Sequence, residues 1–144
     1  MVENLIRHNY VLGFTTSKGV LLDLDNVKLK SVKRLCAIML KHKRYRYIKS
    51  RINLEGYLIV ESSKDHYHVV FNNYFSFRNA LIIASTVRIG NITPWLVERM
   101  KHGEFTIRIS TKNNENKPKI ILKVGKTDKL IKDYLETYRL FKEY

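Results

Sequence analysis

Apolar residues along this chain follow two rhythms. One alternates every second position and marks half-buried strands; the other recurs at three and four and marks amphipathic helices. The stretch from Asn9 to Asp25 reads as two strands around a turn at Ser17-Lys18-Gly19, with Val11, Phe14, Val20, Leu22 and Leu24 as its β-prone positions. Val32, Leu35, Cys36, Met39 and Leu40 then form a helical stripe. Glu55-Gly56 opens a hairpin: Tyr57 to Glu61 is one strand, Ser62 to Asp65 the turn, and His66 to Phe71 the other strand. A second helix is predicted from Ser76 to Arg88, burying Phe77, Ala80, Leu81, Ala84 and Val87. Gly90-Asn91 ends it. Thr93-Pro94 signals another helix, with Thr as N-cap and Pro at the first turn, ending near Gly103. Phe105 to Ser110 alternates strictly, and Lys119 to Val124 is a further strand after a polar loop. Thr127 is the expected cap of a last helix whose stripe is Leu130, Ile131, Tyr134, Leu135, Tyr138 and Phe141.

The resulting order, ββ-α-ββ-α(α)-ββ-α, predicts an α+β fold: an RRM-like sheet, antiparallel or mixed, with helices mainly on one face. The other face is expected to lie open to a ligand. With 144 residues and 44% hydrophobic content, the chain fits a single domain over residues 1–144 with a genuine core. No repeat, low-complexity tract or linker interrupts it.

Charge narrows the partners. Twenty-seven Lys/Arg against thirteen Asp/Glu give a formal net charge of +14, which points to polyphosphate, hence DNA or RNA. Ten Lys/Arg and no acid lie between Asn26 and Leu54. Within that segment His42 to Arg51, read as a basic helical region, interleaves charge with aromatics. Lys41, Lys43, Arg44, Arg46, Lys49 and Arg51 are candidate phosphate contacts there, with Tyr45 or Tyr47 stacking on bases. Arg99, Lys101, Lys112 and Lys117 extend the basic track, as do Lys119 and Lys123. No apolar run has the length of a membrane span, and no signal peptide is visible, so no membrane partner and an intracellular, cytoplasmic location are expected. The single cysteine, Cys36, supports neither an internal disulfide nor a zinc cluster and reads as core, as does Trp95.

Candidate chemistry lies at two strand ends. Asp23 and Asp25 are spaced i, i+2, so on a strand they share a face, and adjacent carboxylates invite a hard divalent cation. The alternative is that Asp25-Asn26 forms a turn or helix cap and leaves Asp23 alone. His66 and His68 share a face in the same way. Paired acids and paired imidazoles on a basic chain suggest metal-assisted chemistry on nucleic acid.

These motifs resemble the catalytic core of archaeo-eukaryotic primases, including the primase-polymerases of archaeal plasmids and viruses. That family has a strand ending in D-x-D or D-x-E, a helix, and then a strand, a small-residue turn and a histidine strand. Leu21-Leu22-Asp23-Leu24-Asp25 and Ser63-Lys64-Asp65-His66-Tyr67-His68 follow this pattern, although Lys64 and Asp65 stand where the family has glycines. Thr106-Ile107-Arg108-Ile109-Ser110 is similar to its later basic strand. The resemblance implies a replication protein that carries out metal-dependent nucleotidyl transfer. Asp23 and Asp25 would hold Mg²⁺ or Mn²⁺, and His68 would contact the triphosphate of a nucleotide. Ser63 and His66 would line the nucleotide site, and Arg108 would be a second phosphate or template contact. Other replication proteins would be partners. Glu98 and Glu104 lie in the stretch where the family's third acidic residue falls.

A second resemblance is to rolling-circle initiators and relaxases, HUH-type nicking enzymes that pair a His-x-His strand with a helical tyrosine. His66-Tyr67-His68 and Tyr138-Arg139-Leu140-Phe141-Lys142 fit that pattern, with Tyr138 as the nucleophile towards a DNA phosphate. A non-catalytic nucleic-acid-binding module is the third reading. No P-loop, dinucleotide fingerprint or Ser-His-Asp signature occurs.

Overall fold

The computed structural model describes residues 5–8, 11–41, 44–112 and 116–140, with side chains from residue 11 onward. The chain is α+β. Strands β1 (Leu5–His8), β2 (Val11–Thr16) and β3 (Gly19–Leu24) precede helix α1 (Leu29–Met39). A hairpin of β4 (Gly56–Ser63) and β5 (His66–Tyr74) leads to α2 (Phe77–Ser85) and α3 (Ile92–His102). Strands β6 (Phe105–Arg108) and β7 (Lys119–Gly125) and helix α4 (Leu130–Leu140) complete the described order. The strand β1 is four residues long and contains Arg7 and His8, too short and too polar for alternation to reveal it.

The strands form two antiparallel sheets, β1-β2-β6 and β3-β5-β4-β7, rather than the single sheet expected. The cause is the bend at Ser17-Lys18. It separates β2 from β3, as the turn signal predicts, but the two strands do not pair with each other. Lys18 N donates to Thr16 Oγ1 at 3.1 Å, and Phe75 N donates to Lys18 O at 2.6 Å, steering the chain towards β5. A Cβ at Gly19 would lie 2.3 Å from Leu130 Cδ2, so any larger residue there would have to displace the Leu130 side chain. The β4–β5 hairpin forms as expected, and Asp65 supplies the positive φ (61°) that the tight turn needs.

The face expected to be open is therefore partly covered. β3 packs beside β6 of the other sheet, and α4 lies against β5. Tyr134 of α4 meets Phe14 of β2 edge-on at 5.3 Å, joining both sheets in one core. On α1, Val32, Cys36 and Met39 are buried, as their spacing predicts. Trp95 is half-buried and stacks on Phe105 at 5.7 Å between centroids. Two caps differ from expectation. Asn91, in the left-handed region at φ 47°, precedes α3 instead of Thr93. Before α4 the segment after Thr127 is tied by Asn72, which accepts from Lys129 N at 2.9 Å and donates to Asp128 Oδ1 at 3.1 Å.

The segment 44–51 is not helical; it is a loop around a turn at Arg46-Tyr47. Its aromatics follow no helical stripe: Tyr45 and Ile48 are buried, while Tyr47 is 71% exposed.

Candidate functional site

Asp23 on β3 and His68 on β5 are direct cross-strand partners, so the antiparallel register alone brings them together. His68 Nε2 lies 3.6 Å from Asp23 Oδ1. One step further out, Asp25 follows the end of β3 and His66 begins β5, with His66 Nδ1 2.8 Å from Asp25 Oδ1. Two neighbouring acid–imidazole pairs result, one across the β3–β5 ladder and one just beyond its end. Asp25 is held from behind: its N–H donates to Gly90 O at 2.8 Å. Gly90 has φ +73°, and a Cβ there would meet Leu24 Cβ at 2.7 Å. The break between α2 and α3 is thereby a support for the site.

Arg108 on β6 faces these pairs across the seam between the sheets. Asp23, Asp25, Ser62, Ser63, His66, His68 and Arg108 all line one cleft of about 610 Å³, closed on its other side by β2 and by Thr106, Ile107 and Lys112. That volume lies within the range of small-ligand sites.

Burial sets the electrostatics. Desolvation, then repulsion from Asp25, pushes the Asp23 carboxyl up from 3.8 to about 6, against the opposing pull of His66, Arg108 and Arg99. Desolvation, then Arg108 and His66, pushes the His68 imidazole down to about 3. His68 is therefore a neutral ring at physiological pH, able to donate or accept but not to supply charge. Its Nδ1 is buried with no hydrogen-bond partner among the described residues. Such an orphan is costly unless another group meets it.

Arg108 is the fixed cation. Its Nη2 donates to Ser62 O at 2.8 Å, and its Nη1 donates to Asn116 O at 3.1 Å and to Ser110 O. These carbonyls come from three separate segments, so the guanidinium holds the rim of the cleft as well as charging it. Arg108, expected as a phosphate or template contact, thus has a structural task in these hydrogen bonds.

Among the described residues, no group of three or more His, Cys, Asp or Glu is placed to hold a metal ion. Asp23 and Asp25 fit a Mg²⁺ or Mn²⁺ site of the kind completed by substrate: one or two carboxylates, with phosphate oxygens and water supplying the rest. A cation held there would offset both the desolvation and the Asp25 repulsion that raise the Asp23 carboxyl. Neither Glu98 nor Glu104 lines the cleft. Glu98 is exposed on α3, 3.4 Å from Lys101, and Glu104 lies at a separate depression with Tyr74 and Asp133.

Other expected site residues lie elsewhere. Tyr138 lines a different groove; its hydroxyl donates to Pro118 O at 2.6 Å, and its ring stacks on Tyr134 beneath Lys117. Phe141 and Lys142 of its motif lie outside the described residues, as does Lys43. Tyr45 is buried, which corrects its reading as a stacking residue. Lys41, Arg44, Arg46, Lys49 and Arg51 are exposed. Sequence reasoning gave Lys112 only a place on the basic track and saw Gly90 only as a breaker. Lys112 had charge as its signal; Gly90's contact with Leu24 had none.

No protein-family model matches the chain, and no curated protein or solved structure matches it.

Proposed function

We propose that the protein is a nucleic-acid replication protein of primase-polymerase type, whose cleft takes the triphosphate of a nucleotide for metal-dependent nucleotidyl transfer. The observation that carries this reading is the convergence of two acid–imidazole pairs and a clamped arginine in one cleft of ligand size. Paired carboxylates beside a fixed guanidinium suit a polyphosphate better than a neutral ligand. When bound, Mg²⁺ or Mn²⁺ would neutralise phosphate charge and polarise the attacked phosphorus.

The protein's own groups divide the remaining work. Asp23 and Asp25 supply the anionic end of the cleft, and Arg108 and Lys112 its cationic side. The neutral His68 offers a hydrogen bond to a phosphate oxygen with no solvent shell to displace. Asp25 orients His66 through their 2.8 Å contact. The exposed basic loop and the charge of +14 supply the affinity for a DNA or RNA strand. Tyr138, in its separate groove, does not support a nicking reaction at this cleft.

The test is extension of a primed template with labelled nucleotides and Mn²⁺. Wild-type protein is expected to extend, and Asp23→Ala to lose at least about 100-fold in rate while still binding oligonucleotide. Salt-sensitive binding without extension by wild-type protein would reduce the protein to a binding module. A covalent DNA adduct lost in Tyr138→Phe would replace this reading with nicking.

A further inference from the structure

The loop between α1 and β4 holds a residue that its local backbone disfavours. Ile48 N donates to Tyr45 O at 3.2 Å, closing a four-residue turn around Arg46 and Tyr47. Tyr47 has φ +70° and follows a residue without positive φ, the φ pattern of a type II turn. The third position of such a turn belongs to glycine, and a tyrosine there is strained. The turn is nevertheless well anchored. Tyr45 and Ile48 are buried on either side, and Arg78 Nη2 on α2 donates to Tyr47 O at 3.2 Å.

What the strain accomplishes is presentation. Tyr47 is 71% exposed, the most exposed large hydrophobic residue among the described residues. The Arg46 guanidinium lies over the ring, 5.2 Å from its centroid. An exposed ring covered on one face by a cation leaves its other face to solvent. Around it Lys41, Arg44, Lys49 and Arg51 are exposed, and the stretch from Asn26 to Leu54 has no acid to balance them. Packing does not require this ring, since it buries little, and the turn would form more easily without it.

We propose that Tyr47 and Arg46 form a stacking platform for an unpaired base of single-stranded nucleic acid, with the surrounding cations holding the adjacent phosphates. Every base offers a π-face, so the platform is tolerant of sequence, and the guanidinium adds a cation–π contribution. A duplex presents no free base face, so the preference is for single strands. This rests on the nucleic-acid reading above but not on the chemistry of the cleft.

The test compares wild-type protein, Tyr47→Gly and Tyr47→Phe in binding a single-stranded oligonucleotide and an abasic strand of equal length. Tyr47→Gly removes the ring and relieves the backbone, so its melting temperature should equal or exceed that of wild type. Its affinity for the normal strand should fall roughly 10-fold. Tyr47→Phe should bind within about 2-fold of wild type, and the wild-type advantage over Tyr47→Gly should vanish on the abasic strand. Equal affinity of Tyr47→Gly and wild type for the normal strand would overturn the platform alone, as would an equal loss on the abasic strand. Absence of oligonucleotide binding by wild-type protein would overturn the nucleic-acid reading itself.

Discussion

Asp23 carries the most unfavourable charge of the cleft, and that fixes a pH signature. Its folded-state pKa, about 6, lies above its ordinary 3.8. Between those values the folded protein retains a proton that the unfolded chain has released. Stability from this group is therefore fully present below about pH 4, falls as pH rises through the window, and is lost above about pH 6. Asp23→Asn keeps the shape and removes the charge. It is expected to raise stability at pH 8 by about 1–2 kcal/mol, a figure reduced for the partial exposure of the side chain, and to change little at pH 4. Urea unfolding at the two pH values checks this. Added Mn²⁺ should raise the melting temperature of wild type at pH 8 and leave Asp23→Asn unmoved; equal shifts in both would remove Asp23 from the cation site. His68 runs the opposite way: with its pKa pushed down to about 3, its contribution is present above pH 6.5 and is lost as pH falls.

The cleft is assembled from elements that are remote in sequence. The α2–α3 break presses Gly90 against Leu24 and pins the Asp25 amide. Gly90→Ala adds a methyl where φ is +73° and where Leu24 leaves no room. A loss of about 2–4 kcal/mol is expected, read as a shift in the denaturant midpoint. Gly103→Ala is the control: its φ is +71°, but a Cβ there meets nothing within 4 Å, so only the smaller conformational cost of about 1 kcal/mol applies. Equal costs for the two would show that the Leu24 contact contributes nothing. The helices do little chemistry themselves. Tyr134 on α4 and Phe105 on β6 pack the seam, and α3 holds Arg99 close enough to pull on the Asp23 carboxyl.

Across the entire chain, fourteen uncompensated positive charges repel one another. Such a molecule is stabilised by screening and by polyanions. Its melting temperature is expected to rise by several degrees from roughly 20 to 200 mM NaCl. Over the same range the affinity for oligonucleotide should fall, log K declining linearly with log salt at a slope near −0.7 for each phosphate neutralised on a single strand. A salt-independent affinity would assign binding to apolar contacts instead. The two opposed salt responses belong to one cause, the same charge seen by the fold and by the ligand.

Several features of this protein were written in local pattern. The α+β order, the β4–β5 hairpin, the stripes of α1 and α4 and the stop at Gly103 follow from periodicity and turn chemistry, which act over a few residues. So does the sharing of a face by His66 and His68 within β5, because strand geometry imposes it, whereas Asp25, one residue past β3, reaches the cleft from outside the strand. Tertiary structure alone decided that β2 and β3 part into different sheets, that Asp23 stands opposite His68, and that Arg108 closes the cleft from the second sheet. It also decided that Tyr45 is buried while Tyr47 is displayed. Strand partners, like burial within a loop, are chosen by competition among distant segments for one core, and no window of neighbouring residues contains that competition.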